Sequence, residues 1–95
     1  MYKVTITDVA KFEYREIMEY LSEFYPSTPG KFAAKLRTCY AALELQPYMG
    51  AVFFANPDYR RMIVGDYVVF YKVFEEPEKR VEVHRLLHGA RSIRL

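Results

Sequence analysis

A chain of 95 residues that is 52% hydrophobic and 17% aromatic can bury a core, which excludes a disordered tail, and it is too short for two domains. No apolar run approaches the roughly 20 residues of a membrane span, the first residues alternate rather than forming an apolar leader core, and the single Cys39 has no internal disulfide partner. A soluble, cytoplasmic protein is expected. The net charge of +2 is unevenly spread: residues 1–25 carry three cations against five carboxylates, whereas residues 79–95 carry Lys79, Arg80, Arg85, Arg91 and Arg94 against Glu82 alone. A basic end points to an anionic partner, either nucleic acid or an acidic protein surface.

Tyr2, Val4 and Ile6 alternate with Lys3, Thr5 and Thr7, predicting a short strand with one face toward a core. Thr7 or Asp8 then caps a helix that runs to about Tyr25, ahead of Pro26. Ala10, Tyr14, Ile17, Met18, Leu21, Phe24 and Tyr25 form its apolar stripe, and Lys11, Arg15, Glu19, Ser22 and Glu23 its solvated side. Val9, Phe12 and Tyr20 fall outside that stripe, so they pack against a second helix or meet another protein. After the turn at residues 26–30, with Thr28 as N-cap and Pro29 at the first helical position, Phe32, Leu36, Cys39, Tyr40 and Leu43 mark a second helix that stops at Pro47. So short a connection predicts an antiparallel helical hairpin. Cys39 lies in the stripe and reads as a small core residue rather than a nucleophile.

Residues 47–58 read as a long, aromatic loop whose Val52, Phe53 and Phe54 either lid the core or form an apolar patch. Three strands follow. Met62, Ile63 and Val64 lead into Gly65-Asp66, a hairpin turn, and Tyr67 to Phe74 are β-branched or aromatic apart from Lys72. That strand is apolar at both parities, so both faces must be partly covered. Residues 75–79 turn the chain before Val81 and Val83 resume the alternation. The expected fold is a single α+β domain, residues 1–95, with an antiparallel β-sheet of about four strands in the order β-α-α-β-β-β and a helical hairpin packed on it.

The sequence has no glycine-rich phosphate loop and no Cys-x-x-Cys. His84 and His88 sit roughly 13 Å apart on one predicted strand, too far to share an ion, so neither a metal nor a cofactor is expected. What remains is arginine with histidine at the strand ends: Arg60, Arg61, Arg80, Arg85, His88 and Arg91 as a binding set for an anionic partner. Such a set can hold phosphate, stabilise developing negative charge and move a proton, or Arg85 can simply ion-pair inside the fold.

The element order, the run Arg61 to Tyr71 with its tyrosine-rich strand, and the terminal Arg85-Leu-Leu-His88-Gly-Ala-Arg91 together resemble the RelE/ParE toxin superfamily of type II toxin-antitoxin modules, and the Leu-His-Gly-Ala-Arg ending is closer to the ParE branch. The resemblance implies a growth-inhibiting toxin of the plasmid-stabilisation kind, neutralised by a cognate antitoxin, with Val9, Phe12, Tyr20 and Phe53 as candidate antitoxin contacts. It implies either of two targets. A ParE-like member inhibits DNA gyrase, whereas a RelE-like member is a metal-independent, ribosome-dependent mRNA endonuclease, for which Arg61, Arg85 and His88 would be the catalytic residues. The loop before Arg60 lacks the lysines of the nuclease branch, Ile63 stands where that branch has a strand arginine, and Ser92-Ile93-Arg94-Leu95 contains no tyrosine. The gyrase inhibitor is the principal reading; the nuclease, and an inactive relative that only binds antitoxin, are the alternatives. Dimers and toxin-antitoxin hetero-oligomers are both compatible with it, and a membrane partner is not expected.

Overall fold

A computed structural model describes residues 1–90 and Leu95. The order is β1 (Lys3–Ile6), α1 (Asp8–Phe24), α2 (Thr28–Leu45), β2 (Ala51–Val52), β3 (Arg60–Val64), β4 (Tyr67–Phe74) and β5 (Arg80–His88). The architecture is the expected α+β fold with a helical hairpin on a sheet. The sheet, however, has five strands in the order β1-β5-β4-β3-β2, and it is mixed rather than purely antiparallel. The first strand lies parallel to the last, Lys3 opposite Arg80 and Ile6 opposite Val83. The fifth strand is Ala51–Val52, paired with Arg61 and Arg60 inside the stretch read as loop.

The local signals account for most boundaries. Thr7 caps α1, its Oγ1 accepting from the Ala10 amide at 3.2 Å. In α2, Thr28 is already helical and Ser27 takes the cap position, one residue before the expected cap. Gly65, at φ +61°, supplies the left-handed conformation at the first central position of the β3–β4 turn.

The helices cover one sheet face. Ala10, Leu21, Phe32, Leu36, Cys39 and Leu43 pack there on Val69, Tyr71, Val81, Val83 and Leu86. Cys39 is buried, and burial pushes its thiol up to about 11, as expected of a core residue. On the other face Phe53 and Tyr59 pack over Val68, Phe70 and Leu87, so the both-parity apolar pattern of β4 is explained by a second, smaller cluster.

One irregularity redirects β5. Tyr71 pairs with Val83 but Phe70 pairs with Arg85, so His84 is an extra residue and the parity inverts beyond it. Val81 and Val83 face the helices, and after the bulge Leu86 does so instead of Leu87. His84 and His88 therefore do not share a face, contrary to the simple alternation.

At the opposite end, the Tyr2 and Tyr48 hydroxyls both donate to the Glu75 carboxylate, Tyr2 to Oε2 at 2.7 Å and Tyr48 to Oε1 at 2.6 Å. These donors hold the Glu75 carboxyl below the usual carboxylate range, while the bond to Glu75 pushes the Tyr2 phenol up to about 12. The carboxylate's contribution is present above its ordinary pKa and lost as pH falls through the lowered one. The phenol's is present below 10 and lost as pH rises through its raised value. The stability gap between wild type and Glu75→Ala should thus stay constant from about pH 6 to about pH 9 and close in acid. Thermal melts across that range check this.

Candidate functional site

Among the described residues, the cations read from the sequence do not bring their charged groups to one patch. Arg85 sits where β1 has ended and, among the described residues, the outer edge of β5 has no strand neighbour. There Thr7 donates its amide to the Val83 carbonyl at 3.0 Å and its hydroxyl to the His84 carbonyl at 3.1 Å. Glu13 of α1 takes over the edge, its Oε1 accepting the Leu86 amide at 3.0 Å. The same carboxylate accepts Arg85 Nε at 3.1 Å and Nη2 at 2.9 Å. Arg85 is therefore engaged as a structural ion pair, the internal role weighed for it, with its side chain one-third exposed.

The remaining cations scatter. Arg60 donates to the backbone carbonyls of Tyr48 and Gly50, at 3.1 and 2.8 Å. Arg80 stacks 4.0 Å from the Phe74 ring centroid and lies 4.0 Å from Glu82. Arg61 is exposed and pairs with Phe70, on the face away from the helices, since cross-strand partners share a face. His88 pairs with Tyr67, whose ring it meets edge-on, and its Nδ1 accepts the Ala90 amide at 3.1 Å. Arg91 lies outside the described residues. Of the nuclease set, Arg61 and Arg85 both neighbour Phe70 from the two flanking strands, but the Arg85 guanidinium is drawn over the β5 edge to Glu13, and His88 lies on the helix side.

The open face holds a cluster that strand alternation did not reveal. Tyr59 Oη lies 3.2 Å from His84 Nδ1, and His84 Nε2 lies 2.5 Å from Glu82 Oε1. A neutral imidazole with its proton on Nε2 satisfies both contacts, accepting from the phenol and donating to the carboxylate. Lys72 Nζ sits 4.7 Å from the Tyr59 ring centroid. Both ring nitrogens of His84 are engaged within the fold, so the cluster fastens the 53–59 loop to β5. The bulge at His84 creates it, and a bulge leaves no mark in the alternation.

A concavity of about 1190 Å³ lies on the other side, between α1, the start of α2, the β3–β4 turn and the end of β5. Val9, Phe12 and Tyr20 line it and stay half-exposed, at 53%, 53% and 50%. Lys31, Lys35 and His88 add charge and polarity at its margin. Three of the four apolar contact candidates therefore meet in one groove. Phe53 does not join them: it packs edge-on against Phe70 on the opposite face, ring centroids 5.1 Å apart. The apolar loop divides likewise, Phe53 closing the small core while Phe54 is 97% exposed.

Among the described residues no cluster of His, Cys, Asp or Glu is arranged to hold a metal ion, and no helix is long and apolar enough to cross a membrane.

Comparison with known proteins agrees with this architecture. No curated protein matches the sequence. Among solved structures, the chain is similar to one from the chromosomal ParDE toxin-antitoxin system of P. aeruginosa, with TM-score 0.76 and 14% identity over 93% of this chain and 96% of that one. It is also similar to one from the RelBE2 toxin-antitoxin complex of Mycobacterium tuberculosis, with TM-score 0.66 and 19% identity over 92% and 96% of the two chains. At these identities the likeness is one of fold. The family model for the ParE toxin of the type II toxin-antitoxin system parDE matches residues 4–93, and the chain therefore belongs to the ParE toxin family.

Proposed function

We propose that this protein inhibits growth by binding DNA gyrase, without cutting nucleic acid, and that a cognate antitoxin neutralises it by filling the groove between α1 and β5. The observation that carries the reading is the groove itself, where Val9, Phe12 and Tyr20 remain half-exposed on a ridge that no other element among the described residues covers. Apolar side chains held open along a concave surface favour occupation by a protein segment, because burying each aromatic ring is worth a few kcal/mol. The engagement of the Arg85 guanidinium by Glu13 and the placement of His88 on the sheet face opposite Arg61 favour binding over catalysis, since acid-base cleavage needs the groups within hydrogen-bond reach of one reacting phosphate.

Phe12→Asp and Tyr20→Asp test the antitoxin placement. Both side chains are exposed enough for the substitutions to leave folding intact. Each variant should still arrest growth, while its affinity for the cognate antitoxin falls by at least about tenfold, the effect of losing an aromatic contact worth more than about 1.4 kcal/mol. Isothermal titration with purified antitoxin reads the loss. Wild-type affinity in both variants would remove the groove from the account.

A further inference from the structure

The connection between β2 and β3 is built to hold still. It makes two successive turns, the Asn56 amide donating to the Phe53 carbonyl at 3.0 Å and the Tyr59 amide to the Asn56 carbonyl at 3.0 Å, and the Phe53 amide closes the base on the Tyr59 carbonyl at 2.9 Å. Pro57 fixes a backbone angle of the second turn. Side chains fasten the base to the sheet: Phe53 packs edge-on against Phe70, Tyr59 Oη meets His84 Nδ1, and Lys72 lies over the Tyr59 ring. Yet the first central position of the first turn, where proline or a small polar residue is usual, holds Phe54, whose side chain is almost wholly exposed. Ala55 and Pro57 beside it are exposed as well, so the tip of a rigid loop is apolar.

We infer that Phe54 is the anchor by which the toxin grips gyrase, entering an apolar pocket on that protein; this rests on the gyrase reading above and names the surface that serves it. Charge selects a protein over nucleic acid. Residues 47–58 contain no lysine or arginine, and their one charge is Asp58, so the loop offers a phosphate backbone nothing that would neutralise it. Shape disfavours a second copy, because a two-fold contact needs a self-complementary patch and a protruding tip is not one. Rigidity favours the anchor itself: a ring presented on a fixed turn loses little freedom on binding, and a few buried aromatics carry most of the affinity of an interface. The loop packs on the sheet face away from Val9, Phe12 and Tyr20, which separates the target contact from the antitoxin contact.

The test measures how the full-length chain inhibits supercoiling by purified DNA gyrase. Phe54→Ala and Phe54→Asp should raise the inhibitory concentration at least about tenfold. Tm and antitoxin affinity should stay unchanged, since Phe54 belongs to neither core cluster and does not line the groove. Phe54→Leu, which keeps an apolar side chain, should lose less than Phe54→Ala. Undiminished inhibition by Phe54→Asp would overturn the anchor and leave gyrase standing as the target. A wild-type chain that arrests growth yet leaves gyrase untouched would overturn the target reading, and this assignment with it. Fluorescence anisotropy with labelled single-stranded and duplex DNA, and sedimentation of the toxin alone, check the occupant. DNA binding that depends on Phe54 would assign the ring to base stacking, self-association that depends on it would assign it to a second copy, and either would overturn the protein pocket.

Discussion

Gly50→Ala should destabilise the fold by about 3 kcal/mol, a loss of more than about 10 °C in Tm for a domain this size. A β-carbon on Gly50 would lie 2.4 Å from Tyr71 Oη and 2.7 Å from the Arg61 carbonyl oxygen. Neither neighbour can yield cheaply. Tyr71 is fully buried in the middle strand, and its hydroxyl is held from two sides, donating to the Pro47 carbonyl at 2.8 Å and accepting the Gly50 amide at 3.0 Å. The Arg61 carbonyl belongs to the strand that β2 pairs with. The methyl group must therefore part β2 from β3 or push the phenol off its partners. Tyr71→Phe alone should lose about 1–2 kcal/mol through the orphaned amide and carbonyl. Combined with Gly50→Ala it should lose less than the sum, because the missing hydroxyl makes room for the methyl. Gly30→Ala is the control: nothing lies within 4 Å of its β-carbon position in α2, and it should stabilise by about 0.5–1 kcal/mol. Denaturant melts of the four variants measure the series.

Glu13→Ala should be nearly as damaging, at about 2–3 kcal/mol, for a different reason. It strips the acceptor from the buried Leu86 amide, a penalty of about 1–3 kcal/mol, and leaves Arg85 without its carboxylate. The ion pair adds less than about 1 kcal/mol because the guanidinium is one-third exposed and water screens it. Glu13→Gln separates the two contributions. It keeps an oxygen for the amide and should lose only about 1 kcal/mol, as should Arg85→Ala. A glutamine variant as unstable as the alanine variant would mean that the charge, and not the edge hydrogen bond, holds α1 to β5.

These two sites also mark where the sequence stops being informative. Both helices, the Gly65 hairpin and the doubly covered β4 are written in local patterns: a stripe at helical spacing, a glycine at a turn, a strand apolar at both parities. The neighbour of β1 is not written there, since alternation at Val4 and Ile6 identifies a strand without saying that it lies parallel to residues 80–83. The bulge at His84 is equally silent, yet it decides which of Leu86 and Leu87 enters the main core and sends His84 and His88 to different faces. Glu13 reads as an ordinary polar helix residue until the end of β1 exposes the edge it occupies. For the groove, residues off the helical stripe were informative: Val9, Phe12 and Tyr20 are left out of the core and stay about half-exposed. Phe53 carried the same apolar signal and was absorbed by a second core, because the path of the 47–58 loop depends on contacts distant in sequence.

The distinction between binding and cutting is best decided by inducing the toxin without antitoxin and mapping, in the same cells, chromosomal DNA breaks and mRNA 5′ ends. Persistent DNA breaks with unchanged mRNA ends are the predicted result. Codon-phased cuts in ribosome-bound mRNA with intact DNA would contradict it.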